Sequence, residues 1–398
     1  MLPNVEENSK WAVIACDQFT SQPEYWEKVE NFVGYAPSAY NLILPEAMLR
    51  DDNTQKIFQI NSAMNDYLEK NFFTEYKNSY VYVERTLLDG SIRKGLVGVI
   101  DLEEYDYNPG STSKIRATEE TVRERIPPRK LIRENAAIEL SHVILLCDDE
   151  RRDLIEPLML SRHSMKKLYD FDLMLGGGKI QGWLVRGEQS RALSMRINSY
   201  IRRKSKELSV LFAVGDGNHS LAAAKACYEA GATSRYAMVE LENIYDDAVK
   251  FEPIHRLVKN ISVEEVITDI QNNICVKGWA SAKNSWPIKF YSHNKNGVIN
   301  IDKSKGASAL IVLQKYLDEN KYKNESEKFE IDYIHDIEAL KELSGQENSL
   351  GFEMPPFDEN AKKDFFKIIS KSGTMPRKTF SMGHAQEKRY YLEARRIK

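Results

Sequence analysis

The chain has 398 residues, and its 56 Lys and Arg residues nearly balance its 59 Asp and Glu residues, which leaves a net charge of −3. Hydrophobic residues make up 42% of the chain and charged residues 29%, as is typical of a globular protein with a buried core. A dedicated nucleic-acid-binding protein carries a concentrated basic excess, so the composition argues against nucleic acid as a partner. No apolar run reaches the roughly 20 residues that a bilayer span requires, so we expect no membrane partner.

The four cysteines, Cys16, Cys147, Cys227 and Cys275, are far apart in the sequence. None of them forms a CxxC pair, so the spacing predicts neither a structural zinc site nor a disulfide framework. The first residues lack the basic and apolar segments of a secretion signal. These features together predict reduced thiols and a cytoplasmic location.

The first third of the chain predicts both strands and helices. The apolar run at residues 11–16 predicts a short buried strand. Apolar residues at helical spacing predict a long amphipathic helix over residues 53–72. Two β-rich runs, residues 80–88 and 91–102, flank an Asp-Gly pair and predict a hairpin.

The middle of the chain predicts helices and strands in alternation. Residues 119–137 predict a helix that is interrupted at Pro127-Pro128, because proline has no amide hydrogen to donate. Residues 141–147 predict a strand, and residues 188–204 predict a helix with a basic end. Hairpins mixed with strand–helix units predict an α+β (mixed α/β) fold rather than a purely doubly wound sheet.

We expect three regions along the chain. Residues 1–110 form an N-terminal α+β region that contains the hairpin. Residues 111–260 form a core with a strand–turn–helix of the phosphate-binding type, and residues 261–398 form a C-terminal α+β region.

The stretch with the clearest chemical signal is a predicted strand at residues 209–214, a polar turn and a helix at residues 221–230. The turn reads Gly215-Asp216-Gly217-Asn218-His219-Ser220. The first amides of such a helix have no intrahelical partner and carry partial positive charge, so they can bind an anion.

Four residues of this turn admit a chemical role of their own. Gly215 and Gly217 allow positive φ and close approach of a ligand to the backbone. Asp216 could bind Mg²⁺ or orient a hydroxyl, and His219 could donate to a phosphate oxygen. The alternative is a tight turn followed by a helix that Asp216 and Asn218 merely cap.

Two adjacent acids, Glu119 and Glu120, are candidates for a general base that accepts the proton of a substrate hydroxyl, or for magnesium ligands. Acidic residues are also common in the first turn of a helix for electrostatic reasons alone. The sequence leaves both interpretations open.

Two basic pairs are further candidates. His255 and Arg256 follow a proline on a predicted strand, where they either stabilise a transferring phosphate or mark an exposed strand end. Arg377 and Lys378 lie in a basic segment that either contacts phosphates or is a solvated charge cluster.

The turn and four other stretches resemble the domain-of-unknown-function 1015 (DUF1015) family, whose motif is in turn similar to one in the ParB/sulfiredoxin-like superfamily. The resemblance extends from about residue 11 to residue 396. The matching stretches occur in family order at residues 117–121, 129–148, 215–224, 252–258 and 373–380.

The resemblance implies a ParB/sulfiredoxin-like strand–turn–helix core with N- and C-terminal α+β elaborations. Its relatives use this turn to bind nucleotide phosphates. The family's motif histidine and arginine are replaced by Asn218 and Ser220. The arginine would clamp phosphate, so Arg256, or Arg377 with Lys378, would have to supply the cation.

The resemblance thus implies a phosphotransferase that uses ATP or another nucleotide, with Mg²⁺, to phosphorylate a small hydroxyl-bearing metabolite. An amino-acid-like substrate is expected, with serine as one candidate. The alternative is a non-catalytic protein that binds a nucleotide or another anion and has a regulatory role, which the changes at Asn218 and Ser220 would favour.

Overall fold

The computed structural model describes residues 1–108, 110–277, 283–321, 330–357, 359–376 and 378–398. Contacts divide the chain into two compact units. The first unit comprises Met1–Lys250 and Met382–Lys398, and the second comprises Phe251–Ser381. The contacts place residues 382–398 in the same unit as the N-terminal residues. The three regions expected from the sequence stay a prediction.

The first unit combines helices and strands up to residue 250. Its helices are α1 (Asn8–Trp11), α2 (Pro23–Val33), α3 (Thr54–Glu69), α4 (Ile126–Arg133), α5 (Glu156–Ser161), α6 (Glu188–Lys204) and α7 (Asn218–Glu229). Its strands are β1 (Leu2–Pro3), β2 (Val13–Ile14), β3 (Phe73–Thr74), β4 (Tyr80–Thr86), β5 (Ile92–Asp101), β6 (Tyr105–Asp106), β7 (Ile115–Ala117), β8 (Ile138–Leu140), β9 (Ile144–Cys147), β10 (Lys166–Asp172), β11 (Lys179–Val185), β12 (Phe212–Asp216) and β13 (Tyr236–Asn243).

A mixed sheet of nine strands organises this unit, in the order β10-β11-β4-β5-β13-β9-β12-β7-β6. In this order, neighbouring strands among the first five (β10, β11, β4, β5 and β13) pair antiparallel. Strand β13 pairs parallel with β9, and β12 pairs parallel with β7. Large apolar side chains such as Trp11, Trp26 and Tyr82 are fully buried in the hydrophobic clusters of this unit. The mixed α+β class predicted from the sequence is therefore confirmed.

The second unit starts at residue 251 and has its own sheet and core. Its elements are β14 (Phe251–Pro253), β15 (His255–Lys259), α8 (Val263–Asn273), β16 (Ser285–Tyr291), β17 (Gly297–Asp302), α9 (Ala309–Lys321), β18 (Glu330–Ile334), α10 (Ile337–Ser344), β19 (Ser349–Glu353), α11 (Glu359–Ser372) and β20 (Phe380–Met382), whose last residue already belongs to the first unit. Five of the strands form an antiparallel sheet in the order β17-β16-β19-β15-β18. Buried residues such as Ile288, Leu313 and Phe352 form its core.

The chain then returns to the first unit. Strand β21 (Tyr390–Tyr391) pairs with β2, and strand β22 (Ala394–Arg396) pairs with β8. None of the helices in the described ranges has both the length and the apolar character that a membrane crossing would require.

Two local predictions were wrong. The helix expected over residues 119–137 begins only at Ile126, and Pro127 and Pro128 lie in its first turn. Amides of a first turn have no intrahelical acceptor, so the missing hydrogens of proline are tolerated there and the residues start the helix instead of interrupting it. The strand expected over residues 11–16 is shorter, because Trp11 ends α1 and only Val13–Ile14 are extended in a sheet.

Candidate functional site

Two parallel strands end side by side at the predicted turn. Val214 of β12 is paired with Ala117 of β7, so the carboxyl ends of both strands lie at the same end of the sheet. The Thr118 hydroxyl donates a hydrogen bond to the Val214 carbonyl at 2.7 Å. The segment that carries Glu119 and Glu120 therefore lies beside the turn that carries Asp216 and His219.

The antiparallel neighbour β9 brings a third segment to this place. Asp216 is opposite Ile144, the first residue of β9, so the residues that precede β9 lie next to the turn. Gly217 has a φ of +80°, and a Cβ there would lie 3.0 Å from Val143 Cα and 3.3 Å from His142 Cδ2. Glycine is required at 217 both by the left-handed backbone and by this close approach.

Gly215 is constrained differently from the prediction. Its backbone is not among the positive-φ glycines. A Cβ at this position would lie 2.4 Å from Met382 Sδ and 3.0 Å from Leu146 Cδ1. Packing, not backbone freedom, thus explains the glycine at 215.

Helix α7 begins at Asn218, with Gly217 at the N-cap position and no side chain that accepts a hydrogen bond at the cap. Asp216 Oδ1 accepts a hydrogen bond from the Gly217 amide at 2.9 Å and not from the first turn of α7. Asn218 Oδ1 is buried, and no partner for it occurs among the described residues. Neither Asp216 nor Asn218 caps this helix, so the explanation of the turn as a simple capped helix is wrong.

Asp216 has a cationic partner that the sequence did not suggest. Lys388 Nζ lies 3.3 Å from Asp216 Oδ2, and the two side chains are 10% and 17% exposed. Within the described part of the chain, Asp216 Oδ2 is nevertheless without a hydrogen bond. This carboxylate oxygen is therefore neutralised by charge while its hydrogen-bonding capacity is left unused.

His219 forms a hydrogen bond with the segment that carries the two acids. His219 Nε2 accepts a hydrogen bond from the Val122 amide at 3.2 Å, so this nitrogen is unprotonated and does not act as a donor. Glu119 is half-buried and Glu120 is exposed. Both acids precede the first helical residues, so the explanation of them as dipole-stabilising residues of a helix start is wrong.

A buried histidine lies beside this site. His142 Nδ1 is 2.7 Å from the Tyr391 hydroxyl oxygen, and His142 Nε2 is 3.5 Å from Asp17 Oδ2. Burial alone would lower the pKa of His142, but Asp17, Asp216 and Glu46 raise it above its ordinary value. Burial would likewise raise the pKa of Asp17, yet His142, Gln18 and Lys388 hold it below its ordinary range. No spacing in the sequence connects His142 with Asp17, so this pair could not be predicted.

Ser220 lies in the first turn of α7 and lines a cavity of about 110 Å³ together with Ala223 and His142. Ser220 carries no charge, whereas the family motif that the sequence resembles has an arginine at this position. The described residues contain no group of three or more His, Cys, Asp or Glu side chains that could hold a metal ion. Mg²⁺ can be bound through one carboxylate together with substrate phosphates and water, so Asp216 fits the ion only in that arrangement.

Two predicted residues belong to the second unit. Arg256 is 1% exposed; its Nε donates to Gln314 Oε1 and its Nη1 donates to the Ile254 carbonyl, both at 2.6 Å. His255 is 4% exposed, and its Nδ1 accepts a hydrogen bond from the Met354 amide at 3.1 Å. Burial lowers the pKa of His255. The explanation of these residues as an exposed strand end is therefore wrong.

The last predicted pair is only partly covered. Lys378 is exposed, with a φ of +55°. Arg377 lies outside the described residues. Roles for both as phosphate ligands stay predictions.

The sequence pattern of the family described as "Protein of unknown function (DUF1015)" matches residues 3–396. The chain therefore belongs to this family, as the resemblance of its motifs predicted. No curated protein matches the chain in sequence.

Several solved structures are similar to the chain at low identity. A mutant free serine kinase in complex with ADP has 14% identity and a TM-score of 0.39, over 76% of this chain and 92% of that one. A conserved hypothetical protein from Pyrococcus furiosus has 13% identity and a TM-score of 0.35, over 76% of this chain and 95% of that one. C-terminally truncated SbnI from Staphylococcus aureus has 8% identity and a TM-score of 0.36, over 72% and 81%. These scores are too low to transfer either a fold or an activity.

Proposed function

We propose that the protein is a nucleotide-dependent phosphotransferase that acts on a small, hydroxyl-bearing metabolite, amino-acid-like in size. The observation that carries this proposal is the start of α7, where a left-handed glycine leads into a helix without a side-chain cap. Backbone amides and partial positive charge at such a point stabilise phosphate oxygens. The resemblance to nucleotide-binding turns of the ParB/sulfiredoxin-like superfamily supports the same assignment.

Asp216 and Lys388 give the proposed site its charge. A nucleotide would arrive with Mg²⁺, which Asp216 would contact through Oδ2, the oxygen that has no hydrogen bond in the described structure. Lys388 would then turn from Asp216 towards the phosphates, since an ammonium group attracts either partner. Phosphoryl transfer depends mainly on this kind of positioning and charge neutralisation.

The acids beside the turn would complete the reaction. The substrate hydroxyl oxygen forms a bond to the terminal phosphorus, the bond from that phosphorus to ADP breaks, and the hydroxyl proton passes to Glu119 or Glu120. ATP is the proposed donor, and a cytoplasmic location inferred from the sequence accords with it. Serine is one candidate substrate.

The proposal depends less on the other predicted residues. His255, Arg377 and Lys378 stay predictions for contacts to phosphate. Arg256 is already bonded to Gln314 and Ile254, so phosphate binding by Arg256 would compete with those bonds. The proposal therefore depends on Gly215–Ser220 (residues 215–220) and Lys388 and not on this group.

The proposal is tested by thermal unfolding with ATP, ADP and AMP, each with and without Mg²⁺, followed by ADP release with a panel of hydroxyl compounds that includes serine. A ligand of the native state raises the Tm, so ATP with Mg²⁺ should raise it and Asp216→Asn should abolish the Mg²⁺-dependent part. Asp101→Asn, at an ion pair with Arg235 on the surface of the same unit, is the control. Unchanged Tm values with all nucleotides would contradict the proposal.

A second candidate is a regulatory protein that binds a nucleotide or another anion without turnover. Ser220 favours it, because a hydroxyl in the first turn of α7 supplies no charge to a developing phosphate. A rise in Tm with nucleotides but no ADP release with any acceptor in the panel would support this alternative over the kinase.

A further inference from the structure

A cavity of about 110 Å³ within the first unit is lined by α7 residues Ser220 and Ala223 and by α4 residues. Most of its wall is aliphatic: Leu42, Leu44, Met64, Ile132, Ile138 and Leu140 contribute to it. An apolar cavity of ~150 Å³ holds benzene, so this one suits a ligand body of about four or five non-hydrogen atoms. A polar molecule such as serine would lose its hydration there without gaining matching contacts.

The carboxylates at the cavity are already neutralised. Glu46 forms an ion pair with Arg129, and Glu139 forms one with Arg133. His142, which also lines the cavity, is paired with Asp17. Among the described residues of the wall, no carboxylate without a partner is therefore present to receive a ligand ammonium group, and burying that group would be unfavourable.

One donor at the wall is unused. Arg133 Nε is buried and has no hydrogen-bond partner among the residues described. Glu139 also pairs with Arg395 at 3.2 Å, besides Arg133 at 2.6 Å, so one negative charge serves two guanidinium groups. The excess positive charge and the unused Nε–H favour a ligand carboxylate at this place.

Two residues of the cavity wall, Ser220 and His142, also lie beside the candidate site. Ser220 is in the first turn of α7, and His142 Cδ2 lies 3.3 Å from where a Cβ of residue 217 would be. A ligand in the cavity would therefore end close to the turn that is proposed to bind phosphate.

We infer that this cavity binds the phosphoryl acceptor, and that the acceptor is a short aliphatic hydroxy acid without an ammonium group. The assignment of this ligand as the acceptor rests on the proposed function, in which its hydroxyl oxygen forms the bond to phosphorus. The aliphatic wall would contact its carbon chain, and Arg133 would bind its carboxylate.

Isothermal titration calorimetry on the full chain without nucleotide tests this inference with three probes that share a four-carbon chain. These probes are 2-hydroxybutyrate, 2-aminobutyrate, which replaces the hydroxyl by an ammonium group, and 1,2-butanediol, which lacks the carboxylate. We expect 2-hydroxybutyrate to bind at least about tenfold more tightly than either of the others. The diol loses the charged hydrogen bond to Arg133, which weakens binding by about that factor, and 2-aminobutyrate must bury an ammonium group for which the wall has no free carboxylate. Equal or tighter binding of 2-aminobutyrate, or no binding of any probe, would overturn the inference.

Two variants locate the site. Arg133→Met should weaken 2-hydroxybutyrate binding at least about tenfold, whereas Arg203→Met, at a similarly buried ion pair with Asp149, should leave it unchanged. If Arg133→Met fails to fold, Ala136→Leu, which fills the same cavity, should abolish binding. Full binding by the folded Arg133 variant or by Ala136→Leu would exclude this cavity as the site. Since no nucleotide is present, these results are independent of whether ATP binds.

Discussion

Lys388 Nζ and Asp216 Oδ2 lie 3.3 Å apart, with both side chains largely buried. The lysine belongs to the C-terminal segment that rejoins the first unit after the whole second unit, and the aspartate ends the strand before α7. The C-terminal segment thus supplies the cation of the candidate site. Lys388 is thus a cation beside the turn in which Ser220 stands where the family motif has an arginine.

Removal of this lysine should destabilise the fold through the aspartate. In Lys388→Met, Asp216 becomes a mostly buried carboxylate without its ion-pair partner, and we expect the free energy of unfolding to fall by about 2 kcal/mol, below the usual figure for fully buried pairs. Urea unfolding at pH 7 measures the loss. In the double variant with Asp216→Asn, most of it should be recovered, because no charge is left uncompensated.

The control for this cycle is Lys250→Met, which removes the lysine of an exposed ion pair with Asp89. Exposed pairs contribute little to stability, so this variant should unfold close to the wild type. If Lys388→Met and the double variant lose the same stability, the ion pair does not explain the loss.

Local patterns predicted the elements around the site because each depends on residues close in sequence. The hairpin of β4 and β5 follows from alternation around a turn, and α6 matches its predicted bounds because its apolar spacing and basic end are both local signals. The strand, turn and helix at 212–229 were also predicted, although the helix begins three residues earlier than expected, at Asn218.

Pairings between distant segments could not be predicted in this way. Lys388 and His142 carry no spacing that relates them to Asp216 or Asp17, and only the strand order of the sheet and the returning C-terminal segment bring them together. The burial of Arg256 likewise depends on Gln314 of another element. One sequence shows the residue types of such a site but not which of them meet.

Two glycine variants separate the effect on stability of the close approach at Gly217 from the effect of its left-handed backbone. Gly217→Ala and Gly231→Ala both place a side chain on a left-handed residue, at φ of +80° and +69°. That conformation alone costs about 1 kcal/mol. A Cβ at 231 meets nothing within 4 Å, whereas a Cβ at 217 lies 3.0 Å from Val143 Cα.

Gly217→Ala should therefore lose at least about 1 kcal/mol more stability than Gly231→Ala, because the new Cβ must displace backbone. Chemical unfolding of both variants gives the difference directly. Gly217→Ala should also reduce the Tm increase caused by ATP with Mg²⁺, which Gly231→Ala should retain. Equal stability of the two variants would show that the backbone at Val143, just before β9, moves without strain.

The charge on His142 depends on Asp17. Asp17, Asp216 and Glu46 raise the pKa of His142 above 6.5 despite its burial, and Asp17 is the largest of the three influences. A histidine with a raised pKa adds stability at low pH that is lost as the pH rises through the folded-state pKa. In Asp17→Asn, the imidazole pKa should fall, since burial then acts against a weaker opposing charge.

NMR titration of the His142 ring protons measures this pKa in both proteins. Tyr391→Phe is the control, because it removes the hydroxyl that lies 2.7 Å from His142 Nδ1 but keeps the carboxylate. In that control the pKa should stay above 6.5. An unchanged His142 pKa in Asp17→Asn would mean that Asp216 and Glu46 dominate the charge on the ring.

Glu242 should give the protein a pH-dependent stability in the opposite sense to that of a carboxylate whose pKa is lowered by folding. Its side chain is fully buried, and Arg93 Nε lies 3.0 Å from Glu242 Oε1 without forming a hydrogen bond. Burial raises the pKa of Glu242 to about 8; Arg93 opposes this rise, while Glu240 and Asp246 add to it. Between the ordinary value of 4.5 and about 8, the folded state holds a proton that the unfolded state has released.

Stability must then fall as the pH rises through this window, by up to about 1.4 kcal/mol per pH unit for one proton. Glu242→Gln is permanently neutral, so its stability should lack this contribution, and its advantage over the wild type should grow from pH 5 to pH 8. Urea unfolding of both proteins at several pH values isolates the effect, because all other titrating groups are shared. A difference that does not vary with pH would mean that Glu242 stays charged in the folded protein and that Arg93 neutralises it fully.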